Sequence, residues 1–141
     1  MPKSKLQKAR ENPRSSLWKK KADKAWAELV HMGTKCLIDN DECCGRLEAH
    51  HLISRAKVST RHKIENACLL CTLHHKYHKT CSPHGGPIGF SEWLRVHEPE
   101  KYAWVLENQH KIDRPNYKEA YENLVEIKRL HELSPVPIDE T

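Results

Sequence analysis

A chain of 141 residues, 38% apolar and 30% charged, suits one modest domain with appended arms and leaves little material for a core. No run approaches the roughly 20 apolar residues of a membrane span, and no apolar stretch follows the opening Met1-Pro-Lys-Ser-Lys. The composition therefore excludes a membrane partner and predicts an intracellular, cytoplasmic protein. The net charge of +5 hides an asymmetry: +7 over residues 1–35, +2 over 36–97 and −4 over 98–141. The basic end is either a footprint for a polyanion or a solvated terminus.

In chain order, residues 1–14 are polar, basic and bracketed by Pro2 and Pro13, which predicts a flexible arm. Ser15 or Ser16 can cap a helix running to about His31, the main element of a segment 15–35. Its Leu17, Trp18, Ala22, Ala25, Trp26, Leu29 and Val30 recur at three- and four-residue intervals, opposite Lys19, Lys20, Lys21 and Lys24. This tryptophan stripe reads as core, and Gly33 ends the helix. Residues 36–48 are turn-rich, Leu47 to Ile53 has strand character, and 54–65 are a polar, basic connection. Asn66 to about Lys79 reads as the start and body of a short helix. After the loop Cys81-Ser-Pro-His-Gly-Gly-Pro, the stretches from Phe90, Tyr102 and Tyr117 predict two or three more helices, with Pro99, Pro115, Pro135 and Pro137 as punctuation.

All six cysteines and eight of the eleven histidines fall between residues 36 and 97. With no export route visible, and with histidines that disulfides do not need, the cysteines read as reduced metal ligands. Within this region the chain reads Leu-Glu-Ala-His50-His51-Leu-Ile-Ser-Arg55, then Asn66, then Cys71-Thr-Leu-His74-His75. Adjacent residues on a strand point to opposite faces, so His50 and His51 have different tasks. A histidine titrating near neutrality can serve as a base towards water.

The double histidine, the central asparagine and the histidine beside a Leu-Cys pair resemble the HNH (ββα-metal) endonucleases, in particular zinc-stabilised phage-type members. The resemblance covers roughly residues 36–85. It implies an α+β fold with a small ββα-metal core over 36–88, flanked by the N-terminal helix and by a helical extension and tail over 89–141. It also implies a metal-dependent DNA endonuclease that hydrolyses phosphodiester bonds. Carried onto this chain, His50 and His75 hold a divalent ion, His51 activates water, and Asn66 holds the connection and orients the His51 ring. Members often place an extra ligand where this chain has Lys79. Here His78, three residues beyond His75 on one helical face, is the expected third ligand. Magnesium or manganese is the expected ion, with nickel and zinc as alternatives.

A second, structural zinc is expected from Cys71 and His74, with Cys36 and either Cys43 or Cys44 upstream. Gly45 favours Cys44, because glycine lets the backbone turn its amides towards a thiolate. Cys68 and Cys81 read as a core residue and a loop thiol, and His84 as a phosphate contact or a spectator. Arg55, Lys57, Arg61 and Lys76 are the expected DNA contacts, with Arg55 gripping the scissile phosphate. The helical extension either packs around the core or forms a homodimer. The competing function is a non-catalytic, zinc-stabilised DNA-binding or adaptor module, against which His51 and Asn66 argue.

Overall fold

The computed structural model describes residues 1–133; Pro135, Pro137 and the rest of the expected tail lie outside them. The protein is α+β: the described residues form five α-helices around one two-stranded antiparallel sheet. The basic arm is not extended chain, because α1 (Lys5–Glu11) forms behind a capping box in which Ser4 and Gln7 exchange side-chain and backbone hydrogen bonds. Polarity alone predicted a flexible arm; local capping made it a helix. Helix α2 (Ser16–Val30) follows from Ser15 and buries Ala22, Trp26, Leu29 and Val30, the apolar stripe expected of it.

Strands β1 (Leu47–His51) and β2 (Ala67–Cys71) pair with Leu47 opposite Cys71 and His51 opposite Ala67. The residues from Ala67 to Cys71 therefore form a strand rather than the predicted helix. Every one of them is buried, and an apolar run of five buried on both faces carries no periodicity to separate strand from helix. The helical part that follows shrinks to one π-helical turn, Leu73–Tyr77, closed by the His78 amide donating to the Leu73 carbonyl at 2.7 Å.

The chain continues through α3 (Pro87–His97), α4 (Pro99–Asn108) and α5 (Tyr117–Leu133), three helices where two or three were expected. Proline opens both α3 and α4, where its missing N–H has no partner to lose. Strand β2 is the hinge of the packing. Ala67 and Leu69 meet Trp26, Leu29 and Val30 of α2 and Leu124 of α5 on one side. Cys68 and Leu70 meet Phe90 and Leu94 of α3 on the other. Burial pushes the Cys68 thiol up to about 12, so it remains a neutral core group. Two helical layers thus clamp one thin sheet, and the clefts beside that sheet are where polar chemistry collects.

Candidate functional site

Four donors converge where the end of β2 meets the turn-rich segment before β1: Cys36, Cys43, Cys71 and His74. His74 Nδ1 lies 3.1 Å from the Cys71 sulfur, 3.6 Å from that of Cys43 and 3.8 Å from that of Cys36. A tetrahedral zinc site has ligand-to-ligand edges of about 3.5 Å. The His74 ring is fully buried, and its Nε2 has no hydrogen-bond partner. An ion between Nδ1 and the three sulfurs would give that nitrogen a strong partner where thiols offer only weak ones, with the ring hydrogen then on Nε2. Burial pushes the Cys71 thiol up, but the backbone amides of His74 and Cys44 and the neighbouring thiols outweigh this and bring it below its ordinary value. The Cys43 thiol is driven up to about 11 by burial and by the other two sulfurs, a repulsion that a cation at the centre would remove. The donors fit a metal ion, and their chemistry is consistent with zinc.

The expectation favouring Cys44 is corrected: Cys43 supplies the sulfur, and Cys44 contributes its amide to Cys71. The reasoning from Gly45 still applies locally. Gly45 has φ +87°, and a Cβ there would meet the Thr72 Cβ at 2.6 Å. The turn aims amides at a thiolate, one residue out of step with the side chain first assigned.

The second cluster joins His50, His75 and His84, each with a ring nitrogen within 4.8 Å of the others. His50 comes from β1, His75 from the π-helical turn, and His84 from the loop before α3. Ser82 shapes that loop: its buried hydroxyl donates to the His78 carbonyl at 2.7 Å and accepts from the amides of Gly85 and Gly86. The His84 amide in turn donates to the His75 carbonyl at 3.3 Å. His75 Nδ1 donates to Glu48 at 2.8 Å, which leaves Nε2 as its donor towards an ion. The hydrogen bond from His75 keeps the Glu48 carboxyl below its usual range.

His78 does not join this cluster. Its Nδ1 accepts from the amides of Cys81 at 3.0 Å and Thr80 at 3.3 Å, so Nε2 carries the hydrogen and meets Glu42 at 3.1 Å. The expectation that His78 joins His50 and His75 is therefore corrected: the third histidine of that cluster is His84. The helical spacing that suggested His78 fails because the helix stops at Tyr77.

His51 points the other way along the strand. Its ring stacks on Trp26 with centroids 3.8 Å apart and planes 7° apart, and its Nε2 lies 3.0 Å from the Arg61 carbonyl. Donation to that carbonyl places the basic lone pair on Nδ1. Burial, helped by the nearby Arg61 and Arg55 charges, brings His51 down to about 4 despite the opposing pull of the Arg61 carbonyl. Burial and the neighbouring histidines take His50 to about 3. Both rings are neutral near pH 7.

Asn66, fully buried, accepts from the Ile53 amide at 2.6 Å and donates to the Ile53 and Thr60 carbonyls at 3.0 and 3.2 Å. It holds the connection between β1 and β2, where a connection from strand to helix was expected. The contact that orients the His51 ring comes from Arg61, which that connection carries.

Arg61 is corrected as a DNA contact. It is 8% exposed, and Nε and Nη2 bind Asp23 of α2 at 2.8 and 2.9 Å while Nη1 donates to the Arg55 carbonyl at 3.2 Å. Burial raises the Asp23 carboxyl, but hydrogen bonds from Arg61 and His62 outweigh it and hold Asp23 below its ordinary value. Lys57 donates to the Gln109 carbonyl at 2.7 Å, and Lys76 pairs with Glu48 at 3.6 Å. Arg55 is exposed and lines the same cleft, of about 790 Å³, as His50, His51, His75 and His84.

The sequence reading assigned no role to Glu48, Asp23 or Trp26 at this site and left His84 open. Glu48 had a signal, since it sits two residues before His50 and so on the same strand face. Asp23 and His84 had none, because their contacts are made across the fold.

Compared with known families, curated proteins and solved structures, the chain matches none. Fold and site together define an α+β protein with a Cys3His cluster able to hold a metal ion, beside a histidine-lined cleft.

Proposed function

We propose that this protein is a metal-dependent DNA endonuclease of the HNH type, stabilised by a structural zinc at Cys36, Cys43, Cys71 and His74. The observation that carries the reading is the division of labour in one cleft. His51 is neutral, stacked and hydrogen-bonded so that Nδ1 is its base, while His50, His75 and His84 converge as an imidazole set on the neighbouring face. The antiparallel strand pair followed by a π-helical turn supports this reading.

In this reading His51 Nδ1 takes a proton from a water as the water oxygen attacks phosphorus and the bond to the ester oxygen breaks, the departing oxygen taking a proton from solvent water. The Arg61 carbonyl and Trp26 hold the ring at the required angle. Arg55 grips the phosphate through charge-assisted hydrogen bonds. A divalent ion held by His50, His75 and His84, when bound, supplies the positive charge that offsets charge gathering on the phosphate. Glu48 keeps His75 in the tautomer that offers Nε2. Three imidazoles suit zinc, nickel or manganese better than magnesium, which favours oxygen ligands.

The test is plasmid cleavage by wild type and by His51→Ala, each with magnesium, manganese, nickel, zinc or EDTA. Metal content and circular dichroism are measured in parallel. The expected result is metal-dependent nicking that falls by about 10²–10⁴-fold in His51→Ala while fold and tightly held metal persist. A folded wild type that binds DNA and cuts nothing under any metal would replace this reading with a non-catalytic binding module.

A further inference from the structure

Building on the endonuclease reading, we propose that the substrate is single-stranded DNA, with one unpaired nucleotide seated in the cleft and its base against the α3–α4 wall. Three observations on the cleft point the same way.

The first is its lining. The cleft lining includes Leu52, Pro83, Pro87, Tyr102 and Val105, the last three from α3 and α4. Apolar side chains and an arginine in one cleft fit the two halves of a nucleotide, its base and its phosphate. In duplex DNA the bases are stacked inside, and the surface nearest a scissile phosphate is more phosphate and sugar. A base can reach an apolar wall only when it is unpaired.

The second is charge. Two arginines line the cleft, and Asp23 neutralises Arg61 through a two-point ion pair. That leaves Arg55 as the uncompensated cationic side chain of the lining. A duplex track is held by a row of cations, each neutralising a phosphate. One arginine and one metal site match the phosphate or two next to the bond that is cut. The lysines of α2 (Lys19, Lys20, Lys21 and Lys24) all lie outside this lining.

The third is size. At about 790 Å³, the cleft falls among sites of roughly 300–1,000 Å³ that enclose small molecules. That is room for a nucleotide and a neighbour, and too little for both strands. Two of the three histidines are also withdrawn from solvent, His75 only 9% exposed and His50 half-buried, while His84 and Arg55 are exposed. A flexible single strand can bend into such a recess, whereas a stiff duplex has to open first.

The experiment presents one end-labelled oligonucleotide as a single strand, as a blunt duplex and as a flap, to the full-length protein with the metal that supports plasmid nicking. The expected result is kcat/KM about tenfold or more higher on the single strand and the flap than on the blunt duplex, the weight of one stacked base. In Val105→Glu, which sets a carboxylate on the base wall, KM for the single strand should rise about tenfold while kcat changes little. Equal or faster cutting of the blunt duplex overturns this inference and leaves the endonuclease reading standing, as does a Val105→Glu protein that cuts the single strand normally. A protein that nicks plasmid and leaves the single strand and the flap uncut also overturns this inference alone, whereas one that cuts neither plasmid nor any of the three substrates overturns the endonuclease reading itself.

Discussion

Two histidine-bearing clusters, the Cys3His set and the His50–His75–His84 set, draw on adjacent residues and differ in almost every physical respect. His74 and His75 are neighbours, yet one enters a closed set with three sulfurs and the other an open set of imidazoles in a cleft. The closed set is held by backbone amides and core packing, and its histidine is fully buried. The open set is held by side-chain hydrogen bonds from its rim: Glu48 on His75, and Ser82 shaping the loop of His84. A metal site with no free position stabilises, and one that leaves a position towards solvent can act on a substrate. Placing the two on adjacent residues lets one turn of chain serve both, so an ion held in the closed set would also fix the cleft histidine.

The sharpest way to break that comparison is to remove the closed set. Cys71→Ser, or a strong chelator on the wild type, should abolish the cooperative thermal transition, because a structural zinc contributes about 10 kcal/mol or more to a small domain. Circular dichroism with metal analysis reads this. A chelated, metal-free protein that melts as before would mean the closed cluster is no more stabilising than the open one.

Next in size is the contrast between His84 and His78. In His84→Ala, ion affinity at the cleft should fall by about 10–100-fold, read by titration calorimetry on protein that keeps its tightly held metal. In His78→Ala that affinity should hold, since His78 faces Glu42 and the amides of Thr80 and Cys81. The reverse pattern would restore His78 as the ligand and displace His84.

The smallest effect is expected at the outer support of His51. Asp23→Asn should cost about 1 kcal/mol, a discounted figure because the carboxylate is a third exposed. Its folded pKa is depressed, so the stabilisation is present above the unfolded value and is lost as pH falls below about 4. The difference in melting temperature between wild type and Asp23→Asn should therefore shrink in acid. A constant difference across that range would remove Asp23 from the account.

The division between what could be read in the residues and what could not follows from distance along the chain. Amphipathic spacing sufficed for α2, because a helix face is decided within a few turns. The opposed directions of His50 and His51 were equally local, a consequence of strand geometry. So were the pairing of Cys71 with His74 and the role of Asn66 in folding the strand connection. The five buried residues of β2 were misread as helix, since a run apolar on both faces has no period to read. Capping turned the basic arm into α1, where charge alone suggested disorder.

What the amino-acid sequence determined by itself was therefore the inventory and its grouping: an α+β chain, a Cys/His-rich centre and a set of histidines able to do acid–base and metal chemistry. Only the tertiary structure decided which sulfur closes the Cys3His set, that His84 rather than His78 joins His50 and His75, and that Asp23 takes Arg61 away from the solvent. Those choices rest on contacts between segments separated by up to 38 residues, whose approach depends on how the helical layers pack on β2. Short-range spacing cannot encode that packing, because it is set by the summed burial of the whole core.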